Sequence, residues 1–163
     1  MKPGTSLILT GLIFFFFLVL SGTKLTAQQK FSMPVLKGPY LGQAEPGLKP
    51  ALFAPGIIST GLIERDISIT ADGTEIYYGL STGKITTIMC TRVVNGVWTE
   101  PETAPFASDL GFYSFEPCLS VDNQQLFFLT NRPSFGKEPR PRWSYQNIWV
   151  ADRQPEVWDA LEE

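Results

Sequence analysis

The chain has 163 residues, of which 13 are basic, 16 are acidic and none is histidine, so its formal net charge is −3. Apolar side chains make up 44 % of the sequence and charged ones 18 %. This balance excludes a disordered polar tail and a nucleic-acid binder driven by net charge. The absence of histidine excludes a Ser-His-Asp triad, a Cys-His pair and a histidine-ligated metal site. The length suggests one domain at most.

The first 27 residues have the pattern of a secretory signal peptide. Lys2 precedes an apolar run from Leu7 to Leu20, and the small residue Ala27 marks the expected cleavage point. The run has 14 residues, fewer than the roughly 20 that a membrane-spanning helix needs, although an uncleaved anchor is the alternative. We therefore expect an exported protein, periplasmic or secreted, with residues 28–45 as an N-terminal extension.

Two stretches of the sequence match each other at a constant offset of 50 residues. Residues 66–78 read DISITADGTEIYY, and residues 116–128 read EPCLSVDNQQLFF. Each stretch has an acidic first residue, an alternating pattern typical of a strand, an Asp-led turn and a second strand that ends in two aromatics. The residue types at 72–73 and 122–123 tolerate positive φ, which predicts a two-residue hairpin turn at both places.

The match continues further along the chain at an offset of 60. Ile88 corresponds to Ile148, and Trp98 corresponds to Trp158. Ten extra residues lie between the second and third strands of the second copy, in a Pro-rich stretch that predicts a long surface loop. The pair at 95–96, Asn-Gly, predicts a tight turn before a short fourth strand. Each copy is thus interpreted as four antiparallel strands in about fifty residues, the unit of a β-propeller blade. A β-sandwich does not predict residue-by-residue repetition.

These copies set the expected domain boundaries of an all-β protein. We expect blade 1 over 62–111 and a second, truncated blade over 112–163. Segment 46–61 matches the end of blade 1, which predicts an N-terminal closing strand of an incomplete blade. Because a closed ring has about four to eight blades, we expect further blades C-terminal to residue 163 of the same protein. An exposed blade face would also favour self-association.

The sequence predicts several buried groups. Trp98, Trp149 and Trp158 fall at equivalent or strand-interior positions and are expected in the core. Cys90 and Cys118 fall on non-equivalent strands of different copies. An exported protein meets an oxidising compartment, where these two cysteines could form one disulfide, but their placement favours two buried thiols.

The second copy contains a recognisable series of motifs. Residues 120–133 read SVDNQQLFFLTNRP, and residues 147–150 read NIWV. This resembles the WD-like β-propeller repeat of exported bacterial proteins, the repeat type of the Tol-system propeller, whose pattern is Ser-Pro-Asp-Gly, an aromatic strand, Ser-Asn-Arg-Pro and Ile-Tyr or Ile-Trp-Val. The first copy keeps Ala-Asp-Gly at 71–73 but has Gly-Leu-Ser at 79–81, where Asn-Arg-Pro is usual. The resemblance implies a propeller fold and an extracytoplasmic, usually binding, role.

Acidic residues at equivalent positions are the main candidate ligand-binding groups. Asp66 and Glu116 start the innermost strand of each copy, beside Arg65, and this would place them near one mouth of a central channel. One interpretation is a polar ring that contacts a ligand or a peptide tail. The alternative is that each carboxylate accepts hydrogen bonds from the backbone of a neighbouring blade.

Three further residues complete the tentative ligand-binding set. Arg132 would hold the inter-strand loop or an acidic ligand, or else it would pair with a neighbouring blade. Tyr113 and Trp143 lie in predicted loops. Aromatic side chains in loops can stack on sugars, contact a protein partner or cover the rim of the propeller. Asp72 and Asp122 are interpreted as turn formers rather than as calcium ligands. No metal and no cofactor is expected.

The preferred function is therefore non-enzymatic. We expect an exported propeller module that binds a protein or a cell-envelope polymer, such as a polysaccharide, through loops at one face. The alternative is the N-terminal part of a propeller-type polysaccharide-active enzyme, a glycosidase or a lyase, with acidic residues near the axis. Binding is preferred because the two copies contain no reactive pair beyond the repeat-equivalent Asp66 and Glu116.

Overall fold

The computed structural model describes residues 32–45, 47–139, 146–154 and 158–161. Those from Met33 onward belong to one compact unit. They form an all-β protein of two antiparallel sheets, as the alternating patterns predict. The predicted signal peptide, residues 1–27, and the candidate residue Trp143 lie outside these ranges. In the part of the chain that the structure describes, no helix is long and apolar enough to cross a bilayer.

Sheet 1 follows the predicted order of strands. Its strands are β1 (Ile63–Ile69), β2 (Glu75–Ser81), β3 (Thr86–Val94), β4 (Val97–Trp98) and β5 (Glu102–Thr103). Strands β4 and β5 pair one after the other with the same edge of β3. The predicted fourth strand is thus longer than expected and interrupted next to Pro101, which has no N–H to donate to a ladder. Asn95 and Gly96 have φ of 51° and 76° and form the predicted two-residue turn.

Sheet 2 repeats the strand pairing of sheet 1. Its strands are β6 (Ser114–Leu119), β7 (Gln125–Thr130), β8 (Asn147–Arg153) and β9 (Trp158–Leu161), in that order. The pair Ser68↔Tyr77 of sheet 1 corresponds to Cys118↔Phe127 of sheet 2. The register is therefore the same in both sheets at offsets of 50 and 60. The predicted long loop lies between β7 and β8, and its described residues contain no strand.

The turn between the first two strands is wider than predicted. The N–H of Thr70 donates to the carbonyl of Glu75 at 3.0 Å, so the loop inside this closing hydrogen bond has four residues, 71–74. Asp72 accepts hydrogen bonds from the Thr70 hydroxyl and from the N–H two residues on, as a turn-forming carboxylate does. Only Gly73 of the predicted pair has positive φ, 70°. The loop at 121–124 of sheet 2 closes through the same bonds. The two-residue turns predicted at these two places are therefore wrong.

One face of sheet 1 packs on one face of sheet 2. The buried residues of this junction core are Tyr77, Ile88, Cys90, Ala104, Phe106, Ala107, Leu126, Phe128, Ala151 and Trp158. Phe106 follows β5 in a 3-10 turn, Pro105–Ala107. Its ring centroid lies 5.0 Å from that of Phe128 and 6.5 Å from that of Trp158. The segment that connects the sheets therefore fills the space between them.

The opposite face of sheet 1 is covered by residues 33–45 and 47–59, here called the N-terminal cover. The buried residues on this side are Leu41, Ala54 and Ile58 from the cover and Ile76, Tyr78 and Trp98 from sheet 1. The backbone N–H of Trp98 donates to the carbonyl of Leu36 at 3.0 Å. Its indole N–H donates to the carbonyl of Gly38 at 2.7 Å. Sheet 1 is thus buried on both faces.

Segment 46–61, predicted as a closing strand, forms a turn in its described residues, 47–61. The N–H groups of residues 57–59 all donate to the carbonyl of Ala54, which bends the chain back on itself. A strand needs a neighbouring strand for its backbone groups, and this segment has only an isolated bridge between Pro55 and Ser59. Its pairing with strands elsewhere in the protein stays a prediction.

The predicted buried groups are confirmed in part. Trp98 and Trp158 are buried, and Trp149 is partly buried against the junction core. Cys90 and Cys118 are both free thiols, and Cys90 is buried. Cys118 is exposed, so the prediction of a second buried thiol is wrong. The reason is that Cys118 lies on the face of sheet 2 that points away from sheet 1.

Candidate functional site

Each sheet has a β-bulge in its first strand. The pairing shifts over residues 65–68 in β1 and over residues 115–118 in β6. Asp66 and Glu116 lie in these bulges with φ of 55° and 56°, a left-handed conformation that costs a non-glycine residue about 1–2 kcal/mol. The sequence predicts that they start their strands. This is wrong, because both lie inside the strands. A bulge re-aims side chains, and here it re-aims one carboxylate in each sheet.

The structure brings Arg65, Asp66 and Glu116 together, and we call them the rim cluster. The Nε of Arg65 donates to the carboxylate of Asp66, and its Nη2 donates to Oε1 of Glu116 at 3.0 Å. The hydrogen bond to Asp66 is the main cause that raises the pKa of Arg65, so the guanidinium keeps its charge. About half of each side chain is exposed at the Arg65–Glu116 pair, 53 % and 47 %, so the pair adds at most about 1 kcal/mol to stability.

The rim cluster connects the first strands of the two sheets. Glu116 accepts its hydrogen bond from a side chain of the neighbouring sheet, not from that sheet's backbone. A separate bond between the sheets runs from the N–H of Leu119 to Oγ of Ser68 at 3.0 Å. The cluster is therefore an exposed, charged contact at the boundary between the sheets.

An open pocket of about 170 Å³ adjoins the rim cluster. It is lined by Phe53, Ile58, Ser59, Glu64, Arg65, Asp66, Ile67 and Tyr78. The hydroxyl of Thr60 donates to Glu64 and is the main cause that lowers the pKa of this carboxyl. Burial raises the pKa of Tyr78 to about 12, so its phenol stays protonated at neutral pH. Two carboxylates and one guanidinium at an apolar pocket can hydrogen-bond to hydroxyl or amide groups of a ligand.

Arg132 belongs to a second cluster, at the start of the long loop. Its guanidinium carbon lies 5.9 Å from the ring centroid of Phe112 and 5.6 Å from that of Trp149. Such cation–π contacts contribute about 0.5–2 kcal/mol each. Both rings belong to sheet 2 or to the segment that leads into it. Arg132 therefore stacks on rings of its own half of the molecule, and its pairing with a neighbouring blade or an acidic ligand stays a prediction.

The main chain of Tyr113 is held beside Arg132. Its N–H donates to Oδ1 of Asn131 at 2.6 Å, and its carbonyl accepts from the hydroxyl of Thr130 at 2.8 Å. Three buried polar atoms of the described residues have no hydrogen-bond partner: Ser114 Oγ, Arg132 Nε and Trp149 Nε1. The two nitrogens are donors, so this end of sheet 2 can bind an acceptor oxygen if the groups that bury them move.

Sequence reasoning missed a charged network across the junction core. Both terminal nitrogens of Arg153 donate to the carboxylate of Glu75 at 2.9 Å, and its Nε donates to the carbonyl of Asn123 at 2.7 Å. The hydroxyl of Tyr77 donates to Glu75 at 2.8 Å and accepts from the indole N–H of Trp158 at 2.6 Å. This network connects β2 to β8, and we call the ion pair of Arg153 and Glu75 the clamp.

A signal for this network is present in the aligned copies. Glu75 corresponds to Gln125, and Arg153 corresponds to Val93. Each member of the ion pair thus has an uncharged residue at the equivalent position of the other copy. A comparison of where the copies differ, and not only of where they agree, would have singled out both residues.

In the described ranges, no group of three or more acidic or cysteine side chains is arranged to hold a metal ion. Comparison of the chain with protein-family models, with curated proteins and with solved structures finds no match. The similarity to WD-like propeller repeats therefore stays a prediction.

Proposed function

We propose that the chain is an exported β-propeller module that binds a protein or a cell-envelope polysaccharide and does not catalyse a reaction. The observation that carries this proposal is the shared architecture of the two sheets. They have the same strand order, the same register and a bulge at the same position, and they pack face to face. Neighbouring blades of a propeller are four-stranded units that repeat in this way.

The contact between β1 and β6 supports the same proposal. In a propeller the first strand of each blade lies nearest the axis, so the first strands of neighbouring blades meet. Arg65 and Glu116 connect these two strands, as does the bond from Leu119 to Ser68. On this arrangement the rim cluster, which lies inside β1 and β6, would face the channel that the first strands surround.

The chemistry of the rim cluster favours binding over catalysis. One guanidinium donates to both carboxylates, so Asp66 and Glu116 hold Arg65 in place. A glycosidase instead needs two carboxyl groups that both face the scissile bond. A net charge of −3 argues against a purely polyanionic partner. Hydroxyl-rich polysaccharides and peptide segments fit the exposed acceptors and the single cation.

Binding to defined polymers tests the proposal. The chain is applied to arrays of plant and microbial polysaccharides and to immobilised peptidoglycan fragments, and hits are titrated by calorimetry. We expect Arg65→Gln and Glu116→Gln to weaken binding at least tenfold, with little change in the free energy of unfolding because the pair is exposed. Arg92→Gln removes a cation from the far end of β3 and is the matched control.

Two results would contradict the proposal. Binding that is equally strong in the rim variants and in Arg92→Gln would show that the cluster has only a structural role. Release of reducing ends that is lost in Asp66→Asn would instead favour a polysaccharide-active enzyme. Export is tested separately, by N-terminal sequencing of the chain after expression in a bacterial host, where we expect a new terminus at Gln28.

A further inference from the structure

The pocket beside the rim cluster contains a buried phenol whose hydrogen-bonding capacity is unused. Tyr78 lines this pocket and is only 3 % exposed. Within the described ranges its hydroxyl forms no hydrogen bond, whereas the hydroxyl of the neighbouring Tyr77 forms two. Buried phenols are usually hydrogen-bonded. The hydroxyl of Tyr78 is therefore free to bond to a group that enters the pocket.

The same pocket has an excess of negative charge. Two carboxylates and one guanidinium line it, which gives a net charge of −1. Arg65 donates to Asp66 and Glu116, and among the ion pairs of the described residues none includes Glu64. The donors to Glu64 are neutral groups, chiefly the hydroxyl and the N–H of Thr60. The charge of Glu64 is thus held in place but not balanced, and this favours a cationic ligand.

The size and the walls of the pocket fit a single side chain. Its volume, about 170 Å³, is below the roughly 300 Å³ or more of a pocket that encloses a drug-sized molecule. Its apolar walls come from Phe53, Ile58 and Ile67 and suit the alkyl stem of a lysine, which packs on apolar surface while its charged end reaches polar groups. An amino sugar would instead place hydroxyl groups without partners against these walls.

We propose that this pocket binds one lysine side chain of a protein partner, with the ammonium group at the carboxylate of Glu64 and the hydroxyl of Tyr78. Both groups can accept a hydrogen bond from an ammonium group. Burial is the main cause that raises the pKa of Tyr78 and the charge of Glu64 is the next, so the two groups are within electrostatic reach of each other. Thr60 already donates twice to Oε1 of Glu64, which disfavours the bidentate fork of an arginine. This inference rests on the proposed binding function and names the ligand of that same site.

Titration of the purified chain with blocked glycine-rich peptides, followed by nuclear magnetic resonance, tests the proposal. The central residue of each peptide is lysine, arginine, acetyl-lysine or norleucine. We expect the lysine peptide to bind about tenfold more tightly than the acetyl-lysine and norleucine peptides, and more tightly than the arginine peptide. Glu64→Gln keeps an oxygen that accepts from Thr60 but removes the charge, so it should abolish most of this preference. Tyr78→Phe removes only the hydroxyl and should weaken lysine binding about two- to fivefold. Glu102→Gln and Tyr40→Phe are the matched controls, because both residues are exposed and lie outside the pocket.

Carbodiimide coupling provides a readout that does not depend on tight binding. The amine of the lysine peptide is expected to form an amide with Glu64 at least about tenfold more often than with Glu102, as mapped by mass spectrometry. Equal binding of the lysine and norleucine peptides would overturn the proposal, and so would an equal loss in Glu64→Gln and Glu102→Gln. Binding of chitosan oligomers through Glu64 in place of the lysine peptide would also overturn it and would assign the amine to a sugar. In each of these cases the proposed function stands if a polysaccharide or another peptide binds through the rim cluster, and it fails only if none does.

Discussion

The two sheets have the same register and different surroundings. Sheet 1 is packed on both faces, by sheet 2 and by the N-terminal cover. Sheet 2 is packed on the face that meets sheet 1, and Ile148 on its other face is 63 % exposed. Equal strand pairing therefore does not imply equal burial. A residue's contribution to stability depends on what packs against its face of the sheet. Aligned residues of the two copies are therefore expected to contribute differently to the free energy of unfolding.

Two adjacent phenylalanines give the strongest test of this difference. Phe128 points into the junction core and is 1 % exposed, whereas Phe127 lies on the face of sheet 2 that points away from sheet 1 and is 39 % exposed. Phe128→Ala is expected to lower the free energy of unfolding by about 3–5 kcal/mol, because it leaves a cavity beside Phe106. Phe127→Ala is expected to cost about 1 kcal/mol or less. Urea unfolding at a protein concentration where the chain is monomeric measures both.

The pair of variants also tests whether the face of sheet 2 that contains Phe127 is covered in solution. If Phe127→Ala costs as much as Phe128→Ala under monomeric conditions, the two faces of sheet 2 are equally packed and the contrast between the sheets is wrong. If the cost of Phe127→Ala rises only with protein concentration, a second copy contributes the packing.

The sequence predicts the pairing within each sheet well because its determinants are local. Alternating apolar residues and the Asn95-Gly96 turn are enough to place β1 to β4 and their counterparts. The four-residue loops were missed because Asp72 closes a wider turn with its own side chain, which the residue type alone does not distinguish from a tighter turn.

The candidate site was predictable only in part, because its geometry arises between the sheets. The sequence singles out Asp66 and Glu116 because they occupy equivalent positions, and Arg65 because it precedes Asp66; the structure shows that the three side chains are in contact. It does not reveal that a bulge moves both acids into the strand interior. The bond from Arg153 to Glu75 joins residues 78 positions apart, at places where the copies differ, so repetition gives no indication of it.

The clamp between β2 and β8 is the second test of how the sheets differ. Arg153→Met keeps much of the side-chain volume but leaves the carboxylate of Glu75 without its charged partner. We expect the free energy of unfolding to fall by about 2–3 kcal/mol, below the cost of breaking a fully buried pair, because both groups are partly exposed. Arg92→Met on β3, whose side chain is exposed, is expected to change it by less than about 0.5 kcal/mol. Equal effects of the two variants would contradict a specific clamp.

The clamp also predicts a pH dependence. Burial raises the pKa of Glu75, but hydrogen bonds from Arg153 and Tyr77 lower it by more than burial raises it. The pKa therefore lies below its ordinary value of 4.5. A carboxyl whose folded pKa is lowered contributes its full stability above the unfolded pKa and loses it as the pH falls through the folded pKa. The loss is therefore expected below about pH 4.5, and Glu75→Gln should flatten it.

Unfolding curves at several pH values test this dependence. In the double variant Glu75→Gln with Arg153→Met, the profile should match that of Glu75→Gln alone, because both substitutions remove the same interaction. An unchanged acid profile in Glu75→Gln would show that other carboxyls, such as Asp72 and Glu64, whose pKa values are also lowered, account for the acid loss.

The smallest expected effect concerns a position where the two sheets differ in chemistry. Sheet 1 has the charged Glu64 there, whereas sheet 2 has Ser114, which is buried and whose hydroxyl has no hydrogen-bond partner. Ser114→Ala removes an unsatisfied polar group and is expected to change the free energy of unfolding by less than about 0.5 kcal/mol, or to raise it. Thr130→Val, on the paired residue, removes a hydroxyl that donates to Tyr113 and is expected to cost about 1 kcal/mol. A loss in Ser114→Ala as large as that in Thr130→Val would show that the Ser114 hydroxyl is bonded in solution.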